Sequence, residues 1–290
     1  MKIFIASSKK YVGKIQEDIY IRDVCISKGI TSEIVTIEEV IKFSKPFDVV
    51  ILKSIWGYHR DYKKFLEQIS VLRNKKVVLV NDYSFIYWNI NKLEYLKEIK
   101  NINVIPTSSL KIKKSHTALY IRNAIAEAGK NFNTDTFVIK PSISASGYLT
   151  YIYDINKKNS TVINALQANK HLDFVMQPYR PSILDGEISI IIINGKLLYG
   201  IVRFPGILSD KKDAIYLNLN DLPRYIKKSA SSIGDLFLEK FGVLPRICRV
   251  DFLKNLTNYE ILEVELIDPD LFFRYIPVSL RKKAILMLLK

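Results

Sequence analysis

Residues 1–82 alternate short apolar segments with amphipathic ones. Apolar segments such as KIFIAS and KVVLVN have the length and β-branched content of buried strands, and the stretches 14–28 and 61–73 have the pattern of amphipathic helices. Because strands that alternate with helices form parallel sheets, this part of the chain predicts an open α/β domain with helices on its faces. The loop after the first strand, SSKKYVG, contains only Gly13 and does not support a glycine-rich dinucleotide site.

From Thr136 onward the chain becomes rich in strand patterns. In IIINGKLLY, the Asn194-Gly195 pair between two apolar runs predicts a type I′ hairpin. Helical patterns cover 91–100, 118–129 and 226–241. The spacing of these elements favours three domains, over residues 1–90, 91–175 and 176–290.

The segment RVDFLKNLTNYEILEVELIDP predicts an antiparallel hairpin. If its turn centres on Thr257, Asp251 lies opposite Glu263 and Arg249 lies opposite Glu265. Alternation along each strand then places these four charged residues on one face. The other face is predicted to belong to the core and consists of Val250, Phe252, Leu262, Val264 and Leu266.

Opposed carboxylates on this hairpin need a positive charge between them, because directly paired side chains lie only about 4.5–5.5 Å apart at Cβ. A divalent cation meets that need, and the three carboxylates of Asp251, Glu263 and Glu265 suit Mg²⁺ or Mn²⁺. The alternative is an exposed hairpin face on which Arg249 pairs with Glu265, worth about 0–1 kcal/mol. The hairpin alone leaves both interpretations open.

The composition is that of an ordinary globular protein: 290 residues, 48% hydrophobic and 25% charged. It excludes disorder, collagen and coiled coil. No apolar run approaches the roughly 20 residues of a membrane helix, and MKIFIASSKK lacks the apolar region of a signal peptide, so we expect a cytoplasmic protein without membrane association. With 2 cysteines and 3 histidines, neither a disulfide framework nor a structural zinc site is expected, and any metal must be held by oxygen ligands.

A formal net charge of +15 is expected to attract polyanions such as nucleic acid, a triphosphate or an acidic protein. The charge alone does not choose among them. The basic residues form short, separate patches rather than one stripe with interleaved aromatic residues. This distribution favours a solvated basic surface.

A lysine followed by small residues suggests a phosphate site in TFVIKPSISASGYLTYI. Small residues over 142–147 allow backbone N–H groups to approach phosphate oxygens, and Lys140 at the strand end adds a positive charge. The P-loop pattern is missing, so the alternative is a β-hairpin turn with an exposed lysine. Lys92, near a predicted helix start, has the same two interpretations.

The segment MQPYR is extended, and Pro178 removes one backbone donor from it. The Gln177 carbonyl and the Tyr179 N–H would then be free to bind a flat heterocycle, or the segment is a plain linker. Glu187, at the start of the next strand, could accept hydrogen bonds from ribose hydroxyls or be an ordinary charge at a strand end.

Taken in order, these segments resemble the ATP-grasp superfamily, and most closely the branch that includes the D-cycloserine-forming cyclo-ligase and related carboxylate–amine ligases. The resemblance covers nearly the whole chain. It implies an α/β chain with α+β lobes, in which the ATP-grasp fold follows an N-terminal open α/β domain. It rests on SIWGYHRDYKKFLEQI, YWNINKLEYL, VIPT, VIKP, MQPY, DGEISIIIINGK and RVDFL…ILEVELIDPDLFF.

The resemblance implies ATP and Mg²⁺ (or Mn²⁺) as cofactors and a role for each matching residue. Lys92 and Lys140 would contact the ATP phosphates, with Arg249 stabilising the transferred phosphate. The closing loop would include Ser142, Ser144, Ser146 and Gly147. Adenine would be held by Gln177, Pro178 and Tyr179, ribose by Glu187, and two metal ions by Asp251, Glu263 and Glu265.

The implied activity is a ligase reaction through an acylphosphate, with ADP and phosphate released. Its substrates would be small molecules: the carboxylate of an amino acid or peptide, and an amine. The segment after GIVRFPGIL lacks the family's acceptor motif, which leaves Arg203 as the one basic residue for that surface; His59 lies in a matching motif whose aromatic residues suit packing equally well. Two alternatives stay open: a scaffold that binds RNA or an acidic peptide without catalysis, and a ligase with a macromolecular peptide acceptor.

Overall fold

The computed structural model of the chain describes residues 2–99, 101–204, 214–256 and 258–290. It forms two compact units: Met1–Ile90 together with Ser182–Lys290, and Asn91–Pro181. The structure thus groups the predicted first domain with most of the predicted third, and the division into three domains stays a prediction. Within the described ranges, no helix combines the length and the hydrophobicity that a membrane span requires.

The N-terminal part of the first unit is the predicted open α/β arrangement. Its elements are β1 (Ile3–Ser7), α1 (Gln16–Ser27), β2 (Ser32–Thr36), α2 (Ile37–Phe43), β3 (Val49–Leu52), α3 (Tyr62–Asn74), β4 (Val78–Leu79) and α4 (Tyr83–Asn89). The strands form a parallel sheet in the order β2-β1-β3-β4, which confirms the predicted sheet.

Both faces of this parallel sheet are covered, which explains why β1 is buried along its whole length. Ile3 and Ile5 pack in one cluster with Ile21 of α1. Phe4 packs in another cluster with Phe65 of α3. Successive residues of a strand point to opposite faces, so a continuous apolar run is what this arrangement requires.

The second unit is a four-stranded antiparallel sheet with helices. Its elements are α5 (Lys92–Glu98), β5 (Ser108–Lys111), α6 (Ala118–Phe132), β6 (Thr136–Pro141), β7 (Tyr151–Asp154), α7 (Ser160–Ala168) and β8 (Asp173–Pro178), with the strand order β5-β8-β6-β7. Phe137 and Ile139 of β6 pack in its core with Ile121 and Ile125 of α6.

The rest of the first unit is built around a five-stranded antiparallel sheet with the strand order β11-β10-β9-β12-β13. Its elements are β9 (Glu187–Ile193), β10 (Lys196–Arg203), β11 (Ala214–Leu217), α8 (Arg224–Phe241), β12 (Ile247–Asn255), β13 (Asn258–Glu265) and α9 (Val278–Leu288). Between β9 and β10, Asn194 and Gly195 both have positive φ (49° and 72°), which confirms the predicted type I′ turn.

The predicted register of the β12–β13 hairpin is confirmed at its charged end: Asp251 pairs with Glu263, and Arg249 pairs with Glu265. Nearer the turn, a bulge after Asp251 pairs Phe252 with Ile261 instead of with Leu262. Ile261 is consequently buried and Leu262 is partly exposed, so the prediction that Leu262 belongs to the core is wrong. A bulge inserts one residue on one strand and thereby shifts the alternation beyond it.

Candidate functional site

A group of polar side chains shares one face of the five-stranded sheet. It comprises Glu187 and Ser189 of β9, Arg203 of β10, Arg249 and Asp251 of β12, and Glu263 and Glu265 of β13. The strand register brings the group together: Arg203 pairs with Glu187, and Asp251 pairs with both Ser189 and Glu263. Directly paired residues point to the same side of a sheet. We call this group the polar sheet face.

Asp251 lies at the centre of the polar sheet face and is almost fully buried. Arg249 donates from Nε to Oδ1 (2.9 Å) and from Nη2 to Oδ2 (2.9 Å). Ser189 Oγ donates to Oδ1 (2.6 Å), and Arg203 Nη2 donates to Oδ2 (3.1 Å). Burial alone would raise the pKa of Asp251, but the two guanidinium groups and these hydrogen bonds hold it well below its usual range. Asp251 is therefore a carboxylate anion at neutral pH.

Two glutamates flank this centre and bind its arginines. Glu187 accepts a hydrogen bond from Arg203, and Glu265 accepts one from Arg249. Burial raises the pKa of each to about 7, although the neighbouring arginine acts in the opposite direction. Near neutral pH both groups can therefore exchange protons, unlike Asp251.

The raised pKa of Glu187 predicts a pH-dependent stability. Because the folded-state pKa (about 7) lies above the ordinary value of 4.5, stabilisation present below pH 4.5 is lost as the pH rises through 7. In Glu187→Gln this loss should disappear, so the slope of the free energy of unfolding against pH should differ from the wild-type slope by up to about 1.4 kcal/mol per pH unit. Urea unfolding between pH 5 and 8 measures both slopes. Glu67→Gln, at an exposed position of α3, should match the wild type; equal slopes for all three proteins would contradict the prediction.

An aromatic ring contacts both arginines of the polar sheet face. The guanidinium carbons of Arg203 and Arg249 lie 5.4 Å and 5.6 Å from the centre of the Phe272 ring. At these distances a cation interacts favourably with the face of the ring. Phe272 itself has a positive φ of 55°, which is uncommon for a residue with a bulky side chain.

The predicted metal ligands Asp251, Glu263 and Glu265 are neighbours in the polar sheet face, and their oxygen donors are the type that Mg²⁺ prefers. Arginine and serine donors occupy the Asp251 oxygens. Within the described ranges, no three His, Cys, Asp or Glu side chains are arranged to hold a metal ion. The donor chemistry fits the metal, but its coordination requires Asp251 to exchange an arginine contact for the ion, and the metal assignment stays a prediction.

In the second unit, Lys92 and the loop after β6 are bound to each other. Lys92 Nζ donates to the Ser144 carbonyl (2.5 Å), and its backbone N–H donates to the Ser142 carbonyl (2.8 Å). Ser144 Oγ in turn donates to the Pro141 carbonyl (2.9 Å). Lys92 is buried rather than a solvated lysine, and it fixes the start of the loop. Its predicted contact with phosphate stays a prediction, as do those of Ser142, Ser144, Ser146 and Gly147.

Lys140 and Gln177 lie on one face of the second sheet. Both are on the side opposite the core residues Phe137 and Ile139, because Val138 pairs with Gln177 and Lys140 pairs with Val175. Gln177 is buried; its Nε2 donates to Thr107 Oγ1 (3.0 Å), and its Oε1 has no hydrogen-bond partner among the described residues. A buried amide oxygen without a donor is costly, so a donor from a ligand would be favourable there.

One predicted adenine contact is wrong. The Tyr179 N–H is not free to bind a heterocycle, because it donates to the Thr136 carbonyl (2.8 Å). Gln177 and Pro178 belong to β8, so the alternative of a plain linker is wrong as well. The sequence showed that Pro178 lacks a backbone donor, but it could not show that a carbonyl of β6 would accept the next backbone donor, the Tyr179 N–H.

Of the two predicted substrate residues, Arg203 lies in the polar sheet face and His59 lies outside it. His59 is buried in a short 3₁₀ turn, Tyr58–Asp61, with its ring 6.1 Å from that of Tyr58. Tyr58 also packs on Phe65 of α3 (4.9 Å between ring centres). This environment agrees with the packing interpretation of the motif, and a substrate contact by either residue stays a prediction.

A cavity of about 290 Å³ in the first unit was missed by the sequence reasoning. Charged residues of both signs line it: Lys14, Glu17, Lys53, Asp270 and Arg274, with Trp56 and Phe273 as aromatic walls. The segments SIWGYH and IDPDLFF carry the family resemblance, but they indicated no role for these residues. Three separate parts of the chain supply the cavity wall, which is why no local pattern could identify it.

Glu17 and Lys53 form a buried ion pair at this cavity (Nζ–Oε1 2.5 Å). Burial raises the pKa of Glu17 to about 7, with Lys53 acting in the opposite direction. Burial would lower the pKa of Lys53, but Glu17 and Asp18 raise it above its ordinary value. Lys53 therefore stays protonated.

In comparison with solved structures, the fold of the chain is similar to that of ATP-grasp ligases. D-cycloserine synthetase DcsG has 19% sequence identity and a TM-score of 0.79, with 98% of each chain covered. D-alanine–D-alanine ligase from Bacillus anthracis complexed with ATP has 15% identity and a TM-score of 0.68, over 100% of this chain and 96% of the other. The ATP-grasp ligase PsnB complexed with minimal precursor, Mg and ADP has 11% identity and a TM-score of 0.62, over 99% and 98%.

At these identities the similarity establishes the fold and not the substrates. No protein-family profile matches the chain, and no curated protein matches its sequence. The chain has the ATP-grasp fold, as its sequence motifs predicted.

Proposed function

We propose that this chain, which has the ATP-grasp fold along its length, is an ATP- and Mg²⁺-dependent ligase that joins a carboxylate to an amine. The observation that carries the proposal is the pair of guanidinium groups, Arg203 and Arg249, held around the Asp251 anion. Phosphoryl transfer needs cationic donors placed in advance where negative charge spreads over the transferred group. This pair supplies such donors.

In the proposed reaction, an oxygen of the substrate carboxylate attacks the γ-phosphorus of ATP, and the bond to the bridging oxygen of ADP breaks. The amine then attacks the carbonyl carbon of the acylphosphate, the bond to the phosphate oxygen breaks, and the nitrogen loses one proton. Arg203 and Arg249 would donate hydrogen bonds to the oxygens of the transferred phosphoryl group. No side-chain nucleophile is needed, because the substrates exchange the groups directly.

Asp251, Glu263 and Glu265 would hold Mg²⁺ or Mn²⁺. When bound, the metal would offset the charge of the ATP phosphates. Of these ligands, Glu265, whose pKa burial raises to about 7, can lose its proton near neutral pH and so supply negative charge when a cation arrives. Metal binding and proton release are coupled for such ligands.

The ATP phosphates would be bound by Lys92, by Lys140 and by the loop that contains Ser142, Ser144, Ser146 and Gly147. Support comes from the buried Lys92, whose bonds to Ser142 and Ser144 fix that loop. Gln177 and Pro178 would contact adenine, with the buried amide oxygen of Gln177 accepting from a donor on the base. Glu187 would accept from a ribose hydroxyl.

The cavity of about 290 Å³ is our candidate for the substrate site. Its charges suit a small zwitterion such as an amino acid. Lys14 and Arg274, at exposed positions, would bind the carboxylate, and Asp270 would bind the ammonium group. A peptide with a free terminus has the same groups. Both substrate classes belong in the test.

Release of ADP with a panel of amino acids, dipeptides and amines tests the proposal. We expect turnover only when ATP and Mg²⁺ are both present, with at least a 100-fold loss after chelation by EDTA and recovery with Mn²⁺. The control omits the amino acid. Absence of ADP release with every substrate, together with RNA or acidic-peptide binding that falls steeply with salt, would favour the non-catalytic polyanion scaffold instead.

A further inference from the structure

We propose that the buried Glu17–Lys53 ion pair is a positioning device for the phosphoryl-transfer arginines, acting through the segment 269–273. The inference rests on the proposed function only for the role of Arg203 and Arg249. The mechanical part, that the ion pair holds the segment and the segment holds the arginines, depends on the contacts of the first unit alone. We call Glu17 and Lys53 the clamp.

The clamp binds three backbone groups of the segment. The Glu17 carboxylate accepts from the N–H groups of Leu271 (3.1 Å) and Phe273 (3.2 Å). Lys53 Nζ donates to the Pro269 carbonyl and to Glu17. Glu17 lies in the first turn of α1 and Lys53 directly follows β3, so the clamp attaches the segment to rigid elements of the parallel sheet domain.

The segment is held in an otherwise unfavourable conformation. Phe272, between the two N–H groups that Glu17 binds, has a left-handed backbone (φ 55°, ψ 34°). Its own N–H donates to Asp270 Oδ1 (2.8 Å), and Tyr199 Oη donates to the Leu271 carbonyl (2.7 Å). A residue with a bulky side chain keeps such a conformation only where the surrounding bonds impose it. The clamp supplies three of these bonds, to Pro269, Leu271 and Phe273.

The left-handed backbone places the Phe272 ring against both Arg203 and Arg249. The two guanidinium groups contact the same ring and donate to the same carboxylate, that of Asp251. Their positions therefore depend on both the ring and the carboxylate. If the clamp is released, the ring can leave, and the arginines then keep their acidic partners and, for Arg203, the hydrogen bond from Nε to Ser189 Oγ (2.9 Å). A small misplacement of groups that contact the reacting centre can cost about 10²-fold in rate. Glu17 and Lys53 are therefore positioning residues rather than catalytic ones.

The first test separates kcat from KM. Lys53→Met and Glu17→Gln should each lower kcat for ADP formation by about 10- to 100-fold and change KM for ATP and for the amino acid by less than about threefold. Lys53→Arg keeps the charge and should restore most of kcat. The matched control is Lys2→Met, which removes a lysine from a more exposed ion pair with Glu33 and should leave kcat unchanged. A raised KM for the amino acid with unchanged kcat would mean direct substrate contact and overturn the proposal.

A double-mutant cycle tests whether the clamp acts through Phe272. In a Phe272→Leu background, Lys53→Met should change kcat by less than about twofold, because the ring that the clamp positions is already gone. Independent, additive losses would overturn the proposal. Urea unfolding of each variant identifies any that fail to fold, and Glu17→Gln, which changes little in volume, then takes the place of Lys53→Met in the cycle.

Hydrogen exchange tests the clamp without any turnover. The amides of Leu271 and Phe273 should be protected in the wild type and exchange at least about tenfold faster in Glu17→Gln and Lys53→Met. Unchanged protection overturns the clamp, whatever the activity. Faster exchange with unchanged kcat overturns the positioning role and leaves the proposed function standing. Faster exchange in a chain that releases no ADP with any substrate points to failure of the proposed function instead.

Discussion

Arg249→Ala is expected to lower kcat for ADP formation by about 10²- to 10³-fold, the usual effect of removing one preorganised donor from a site of developing negative charge. It should also lower the free energy of unfolding by about 3 kcal/mol, because it removes one partner of a buried ion pair. We expect the low end of the usual range, since Ser189 and Arg203 continue to bind the Asp251 carboxylate. ADP release and urea unfolding measure the two effects.

A second pair of variants separates catalysis from stability at this position. Arg249→Lys keeps the charge but cannot bind both Asp251 oxygens as a planar guanidinium does, so it should fold better than Arg249→Ala and still turn over slowly. The double variant Arg249→Met, Asp251→Leu replaces the buried pair with apolar groups and should regain stability without regaining activity. Activity near the wild-type level in either protein would contradict the role assigned to Arg249.

Glu263→Ala is expected to abolish the stabilisation that ATP and Mg²⁺ together give to the wild type. A ligand that binds only the folded state adds about 2.7 kcal/mol at a hundred times its dissociation constant. Removing a metal ligand should remove that increment and lower turnover by at least about 100-fold, beyond the loss usual for an outer-shell partner. Thermal unfolding with and without ATP, at fixed Mg²⁺, measures the first effect, and ADP release measures the second.

The position of Glu263 should allow the Glu263→Ala variant to separate metal binding from folding. Glu263 is partly exposed and lies on a strand whose register is held by the core residues Val264 and Ile261, so the variant should keep the fold. Thermal unfolding of the ligand-free variant measures what the side chain itself contributes to stability. Glu67→Ala, at an exposed position of α3, is the control and should keep both effects. If Glu263→Ala retained the ATP-dependent stabilisation and turnover, the metal assignment would be abandoned.

The charged end of the β12–β13 hairpin shows what a local pattern can predict. A turn and a two-residue alternation were enough to pair Asp251 with Glu263 and Arg249 with Glu265, because both depend on neighbours along the chain. The same reasoning failed nearer the turn, where a bulge pairs Phe252 with Ile261. A bulge depends on how the whole strand packs, which the alternation does not encode.

The contacts of Asp251 show where local reasoning stops. Ser189 and Arg203 reach this carboxylate because β9 lies between β10 and β12 in the sheet. Strand order is a property of the assembled sheet, so the sequence could suggest Arg203 and Asp251 separately, but neither their contact nor the part of Ser189. The prediction that the Tyr179 N–H is free failed for a related reason. Its acceptor, the Thr136 carbonyl, belongs to a strand that is distant along the chain.

The sequence by itself determined the α/β and antiparallel parts of the fold, the type I′ turn, the charged hairpin and the similarity to the ATP-grasp superfamily, because each depends on periodicity, turn chemistry or motif order within short segments. Only the tertiary structure decided the arginine pair around Asp251, the clamp formed by Glu17 and Lys53, and the cavity beside it. The arginine pair joins side chains of β10 and β12, and the clamp and the cavity join residues around the start of α1, directly after β3 and after β13. These elements meet only once their apolar faces have packed into common cores.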